Sequence, residues 1–283
     1  MSAEKVTTAD LRGPVREFVE TWRYRSLIGH LARQELATRY NRSVLGWLWS
    51  VLHPLSTLLV YSLVFGTILR VAVPVGAKGL DSFTLFFFSG FVVWNLFNQV
   101  SSGVMRSFDE SLGLRHRVYF PPACTPLARL MTTAVVSSVE VVVMIAAFAS
   151  VGVIGATVLS LIPILVLMGV FAFGLGLLLS VPNVRFRDVG HLYGVFLNFL
   201  FFLTPIIYPL SLLEGKRAFG MDLETLIRLN PLTHFVDAMR RSVYVLEWPP
   251  VNLWLNMIGS AAVMVALGWF AFVRWAPDAA EGR

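Results

Sequence analysis

Among the side chains able to do chemistry, Glu140 is the one carboxylate set inside a long apolar stretch of this 283-residue chain. A carboxyl at bilayer depth is costly and faces protein or water. Two readings follow. Glu140 lines a channel or bonds between helices, or it is protonated and bonded to a neighbouring hydroxyl such as Ser137 or Ser138. With no basic partner in the other apolar stretches, it makes a poor proton relay. The remaining candidates form no constellation. The five histidines, His30, His53, His116, His191 and His234, are scattered, and His53 before Pro54 reads as a packed or interfacial residue. Cys124 is the single cysteine, so neither an internal disulfide nor a paired-cysteine metal site is available. The chain has no GxxxxGK[ST] loop to cradle ATP phosphates, no HExxH, no GxSxG and no DxD-like acid pair. No catalytic residue, no metal site and no cofactor on this chain are expected.

The elements around Glu140 are written in the charge pattern. Charged residues are 14% of the chain and hydrophobic ones 56%, against about 25% charged in a soluble domain. Residues 43–69, 82–105, 189–213 and 248–273 contain no Asp, Glu, Lys or Arg, and residues 130–184 contain only Glu140. About 20 helical residues cross a hydrocarbon core of roughly 30 Å. The longest run therefore holds two spans, with a turn expected at Gly152 to Thr157. The apolar runs are continuous rather than alternating, which favours helices over a β-barrel. The expected fold is an all-α membrane protein of one domain, residues 1–283. Its six spans lie at about 46–69, 83–105, 129–151, 158–181, 189–210 and 252–274.

Basic residues set the orientation. Sixteen of the 23 Lys and Arg fall on the side holding both termini and seven on the other, so both termini are expected in the cytoplasm. The net charge of +6 fits contact with anionic headgroups and carries no nucleic-acid motif. The first 42 residues are of mixed charge and do not read as a signal peptide. Val15, Phe18, Val19 and Trp22 form an apolar stripe suited to a membrane surface or to packing on another subunit. Residues 106–129 read as a cytoplasmic loop. Its Arg115–Pro122 stretch mixes cations and aromatics, as a docking segment or an interfacial anchor would. Residues 214–247 hold two short apolar helices split by Asn230-Pro231, either dipping back into the outer leaflet or lying on its surface. Aromatic residues at Tyr61, Phe65, Phe86–Phe88, Phe91, Trp94 and Phe196–Phe202 could make a tolerant slide for sugar C–H faces, although most such residues simply face lipid.

Particular words then carry a resemblance. Ser43 to Ser50 (SVLGWLWS) with His53-Pro54-Leu55, Phe88-Ser89-Gly90 with Trp94-Asn95, Arg117-Val118-Tyr119-Phe120-Pro121, Asn183 to Val189 (NVRFRDV), Phe202 to Pro209 (FLTPIIYP) and Leu229-Asn230-Pro231-Leu232 occur in order. Together they resemble the permeases of type 2 ABC polysaccharide exporters, the Wzm-like family of O-antigen, teichoic-acid and capsule systems, with the Ala/Val-rich chain most similar to actinobacterial lipid-linked galactan exporters. The resemblance implies a bacterial inner-membrane homodimer joined by two copies of a separate Wzt-like ATPase, which carries the ATP and Mg. It implies a polyprenyl-diphosphate-linked glycan as cargo. It places ATPase coupling within residues 110–124, at Arg115, Arg117, Tyr119, Phe120 and Pro121. It places a conduit at Tyr61, Phe65, Phe87, Phe88, Trp94, Asn198, Phe201, Phe202 and Tyr208, mostly from spans one and five. It puts the lipid-diphosphate entrance at Arg39, Arg42, Arg185 and Arg187, and the outer gate within 214–247 at Asn230, Pro231 and Phe235. Pro122-Ala123-Cys124 departs from the charged residues that often follow the coupling aromatics. A permease for drugs or lipids and a membrane-embedded glycosyltransferase or acyltransferase remain alternatives, the last disfavoured by the missing catalytic cluster.

Overall fold

The computed structural model describes residues 13–39, 43, 45–115, 119–186, 188–218 and 221–280. Ten α-helices appear in the order α1 (Pro14–Arg23), α2 (Arg25–Arg39), α3 (Trp49–Tyr61), α4 (Phe83–Arg115), α5 (Cys124–Ser150), α6 (Leu161–Arg185), α7 (Asp188–Leu203), α8 (Leu223–Arg228), α9 (Pro231–Arg240) and α10 (Val251–Ala280). A 3-10 turn at Gly46–Leu48 leads into α3, and π-helical turns at Ser62–Ile68 and Arg241–Val245 prolong α3 and α9. The described β-structure is one pair of two-residue strands, with Arg217 opposite Asp222 and Ala218 opposite Met221.

Five segments are long and apolar enough to cross a membrane: Gly46–Ile68, Phe83–Gly113, Cys124–Ser150, Ala156–Arg185 and Val251–Ala276. The region expected as the fifth span behaves differently. α7 has 16 residues, roughly 24 Å of helix, and stops at Leu203. Pro205 cannot donate the next backbone bond and disfavours helix at Thr204, so the chain turns, with Ile206 and Ile207 buried. The expected loop from residue 106 is also shorter than the charge pattern implied. α4 runs unbroken past Arg106 to Arg115, and α5 begins at Cys124.

α4 is the central post. Of its apolar window 83% is buried, against 6% for Gly46–Ile68. Apolar helices gain little from leaving lipid for protein, so their association rests on close packing and small residues. α6 and α10 show this. A Cβ on Gly174 would lie 2.5 Å from the Met264 carbonyl group, and one on Gly268 would collide with the Gly174 carbonyl oxygen. The two backbones touch because neither position carries a side chain.

α9 runs antiparallel to the first turns of α4. Val236 and Arg240 reach the Gly90 site, and the Arg240 guanidinium lies 3.7 Å over the Phe86 ring. Phe235 is fully buried, 5.9 Å from the Phe171 ring. The 214–247 region therefore inserts α9 between helices instead of laying it on a surface. At the same end, Tyr244 Oη is within reach of the Pro74 and Leu80 carbonyls at 3.0 and 3.1 Å. Thr157 donates to the Ser242 carbonyl at 2.6 Å, and Lys78 donates to the Gly152 carbonyl at 2.5 Å.

The opposite end gathers α1, α2, the end of α4, the start of α5 and the end of α10. Trp269 Nε1 donates to the Pro14 carbonyl at 3.0 Å, and Phe108 meets Phe272 edge-on at 5.2 Å. Ile28 and Ala32 of α2 pack with Phe120, Cys124 and Ala128 in a small second core.

The α6–α10 contact yields a direct test. Gly268→Val forces two backbones apart, and overpacking of this kind costs about 3 kcal/mol or more. We expect a strong loss of detergent-solubilised, monodisperse protein and a lowered Tm, with Gly259→Val, which meets nothing within 4 Å, close to wild type.

Candidate functional site: a polar cleft between four helices

α4 changes character at Trp94-Asn95. Before that point its buried aromatic residues are Phe83, Phe86, Phe87, Phe88 and Phe91. After it, Asn95, Asn98, Gln99, Ser102 and Arg106 recur every three or four residues and so share one face of the helix. That stripe lines a cleft of about 780 Å³ with Trp49, Ser50, His53 and Pro54 of α3, Val136 and Glu140 of α5, and Gly194, Leu197 and Asn198 of α7. Arg39, at the end of α2, and Arg106 stand at its mouth. From Arg106 to Asn95 the cleft follows eleven residues of α4, roughly 16 Å of depth.

Glu140 sits at the deep end and is 3% exposed. Asn95 Nδ2 donates to its Oε1 at 2.6 Å and Gln99 Nε2 to the same oxygen at 3.4 Å. Its Oε2 is buried without a protein partner. The hydroxyl partners considered for Glu140 are not used, since Ser138 donates to its own helix at the Val135 carbonyl, 2.6 Å away. The bond runs between helices, from α4 to α5. Nearby, Tyr193 of α7 donates to Ser101 of α4 at 2.7 Å.

The expected conduit residues divide. Tyr61 stacks on Phe87 at 4.7 Å and on Phe65 at 5.7 Å, and Phe201 meets Tyr61 and Trp94 edge-on. These five make an aromatic block between α3, α4 and α7, beyond the deep end of the polar cleft. Phe87 and Phe88 are enclosed by protein, at 0% and 1% exposure, and so reach no open surface of this chain. Phe202 is exposed, and Tyr208 donates to the Phe202 carbonyl at 3.0 Å. Of the set, Asn198 alone lines the cleft.

Of the expected entrance arginines, Arg39 lines the cleft mouth and Arg185 is an exposed end residue of α6. Arg42 and Arg187 lie outside the described residues. Among the coupling residues, Tyr119 is exposed, with its hydroxyl 3.4 Å from Glu20 of α1. Phe120 is buried in the α2–α5 core and Pro121 is buried too. They anchor the segment rather than project from it. Arg117 and the side chain of Arg115 are outside the described set. At the far end Asn230 caps α9 by accepting from Leu232 N at 3.1 Å and donates to Thr204 at 3.0 Å. Pro231 occupies the first helical position, and Phe235 fills the core beyond it. The expected gate residues thus tie α9 to the end of α7.

Asn95, Asn98, Gln99 and Ser102 were missed as site residues. Each is ordinary alone, and only their helical period inside a charge-free run signals a shared wet face. Among the described residues no group of three or more His, Cys, Asp and Glu could hold a metal ion.

Residues 26–244 match the ABC-2 type transporter family. The chain belongs to that family. It is 29% identical over 258 residues to the O-antigen export system permease protein RfbA of Myxococcus xanthus, covering 91% of this chain and 94% of that relative. It is 25% identical over 243 residues to the polysialic acid transport protein KpsM of Escherichia coli, covering 84% and 89%. It is 25% identical over 249 residues to the capsule polysaccharide export inner-membrane protein CtrC of Neisseria meningitidis serogroup A, again covering 84% and 89%.

Arg129 holds the inner end of the site together. It pairs with Glu35 of α2 at 2.8 Å and with Glu110 of α4 at 2.5 Å. Burial pushes the Glu35 carboxyl above its ordinary value of 4.5, outweighing the pull of Arg129 and Arg39. The docked state therefore holds that proton more tightly than the unfolded chain. Its contribution is complete below 4.5 and is lost as the pH climbs through the raised value. We expect Arg129→Ala, which leaves two carboxylates facing each other, to speed tryptic cleavage within α1 and α2 at least several-fold. Glu35→Gln should keep α2 docked and flatten the dependence of cleavage on pH.

Proposed function

We propose that this chain is the transmembrane half of an ATP-driven exporter that moves a polyprenyl-diphosphate-linked polysaccharide of O-antigen, capsule or galactan type out of the cytoplasm. The observation that carries the reading is the near full-length match to export permeases, in a chain that has no phosphate-binding loop of its own. Energy then comes from a separate ATPase, with ATP and Mg bound there. Two permease copies and two ATPase copies form the working unit. The sparsely buried span Gly46–Ile68 and the exposed Leu192, Val195, Phe196 and Phe199 of α7 support a shared conduit built where copies meet.

Six crossings fit this unit in an inner membrane. α7 with residues 204–209 supplies the sixth, short one. The segment α8–α9 then forms the outer gate, re-entering from the far side, with Asn230, Pro231 and Phe235 at its turn and core. Both termini face the cytoplasm, which agrees with the basic residues gathered at the α1, α2 and α10 end. There α1 exposes Val15, Phe18, Val19 and Trp22, an apolar face suited to the membrane surface. Arg39, Arg42, Arg185 and Arg187 receive the diphosphate by charge-assisted bonds. Residues 110–124 meet the ATPase, with the exposed Tyr119 as an anchor in its groove. ATP-driven closure of the ATPases is passed through that segment because the partner contacts the two permease states differently.

The test is reconstitution with the cognate ATPase. Arg117→Glu combined with Tyr119→Ala should abolish co-purification of the ATPase and stop export of lipid-linked glycan in cells. Survival of both assembly and export overturns the docking role. Transport of glycan without any ATPase overturns the export mechanism itself.

A further inference from the structure

We propose that the deep end of the polar cleft is a hydroxyl-recognition subsite that holds one sugar ring of the cargo, with Glu140 as its central acceptor. The inference rests on the export reading and deepens it.

The geometry argues for a neutral, hydroxyl-rich ligand. Glu140 is held by Asn95 and Gln99, both through Oε1, which leaves Oε2 buried and without a protein hydrogen bond. A buried acceptor left unmade is expensive, and a sugar hydroxyl is a donor of the right size. Around it stand Asn98, Gln99, Ser102 and Asn198, which supply amide and hydroxyl groups able to donate and accept at once. Asn98 accepts from Ser102 at 3.2 Å, which orients the amide and leaves its N–H₂ side for a ligand. Trp49, half exposed on the opposite wall, offers a flat apolar face against which the C–H side of a pyranose can lie. An anion is disfavoured beside the Glu140 carboxyl group. Positive charge stands on Arg106, eleven residues along α4 from Asn95, and on Arg39, which is near enough to act on the Glu140 carboxyl. An acyl chain is disfavoured because the lining is polar. The volume of about 780 Å³ lies within the range of small-molecule sites, about 300–1000 Å³.

Asn95 is a positioning residue. Its amide holds one oxygen of the Glu140 carboxyl and so fixes the group's rotamer at the cleft wall. The cluster is also placed where it can act selectively. It lies about 16 Å beyond Arg106 by helix rise, so a headgroup whose charge stays at the mouth can extend an uncharged ring inward to Glu140.

The experiment uses the permease–ATPase complex in nanodiscs and two photoreactive probes: a polyprenyl diphosphate bearing a disaccharide, and the same lipid diphosphate without sugar. Wild type should bind the glycosylated probe more tightly and label on α4 and α7 residues of the cleft. Glu140→Gln, which keeps an oxygen for Asn95 and changes only the remaining carboxyl oxygen, should weaken the glycosylated probe about ten-fold, the worth of one strong hydrogen bond, with a much smaller effect on the sugar-free probe. Asn98→Ala and Asn198→Ala, at partly exposed positions that should not threaten folding, should each weaken it several-fold in the same sugar-dependent way. Equal loss for both probes, or an undiminished glycosylated probe labelling elsewhere in all three variants, overturns the subsite while the export reading stands. Failure of wild type to bind either probe, in a complex that hydrolyses ATP, overturns the export reading and this inference with it.

Discussion

A carboxyl group placed among apolar helices has to be satisfied by protein, and the bond from Asn95 to Glu140 meets that demand across the α4–α5 contact. Much of the architecture follows from it. α4 must present a polar face at that depth, so Asn98, Gln99 and Ser102 continue the stripe toward Arg106. Helices α3 and α7 must screen the stripe, and they do so loosely, leaving a cleft. A bond of this kind also fixes rotation. Turning α4 by one residue would swing the Asn95 amide away and bring Trp94 or Leu96 toward Glu140.

The division of α4 into an aromatic half and a polar half gives the molecule two different tasks along one axis. In the aromatic half, Phe83, Phe87 and Phe91 stack in series with Tyr61, which seals the bundle without demanding any polar partner. Arg240 closes the same end. It donates to the Ile206 carbonyl at 2.6 Å and covers Phe86, thereby linking the end of α7, the inserted α9 and α4. The polar half opens in the other direction, toward the basic end where α2 is pinned by Arg129.

How far this was legible depended on what carried each feature. Long charge-free runs marked the bundle because hydrocarbon excludes charge over a whole helix length. Charge at Arg106, Asp109 and Glu110 says nothing of whether the helix itself ends, and α4 continues through these residues to Arg115 where a loop was expected. The same criterion failed at α7, where an apolar run to residue 213 hid the stop imposed by Pro205. Glu140 stood out as a lone carboxylate, but its partner lies 45 positions away and no local spacing points to it. The enclosed positions of Phe87 and Phe88 were equally hidden, because an aromatic in a span has the same letter whether it faces lipid, conduit or core. The motif words in the chain did locate the family, and the family match covers all of them.

The proposed exporter requires the Asn95–Arg106 face of α4 to be reached by water from the cytoplasmic side of the membrane. Replacing Cys124, the single cysteine and a buried one, by Ser allows one new cysteine at a time at Asn98 or Ser102 to be probed with a membrane-impermeant maleimide. The account predicts rapid labelling in inverted vesicles and none from outside intact cells. Labelling from the outer face, or protection from both sides while the exposed Tyr119→Cys position reacts, would contradict it.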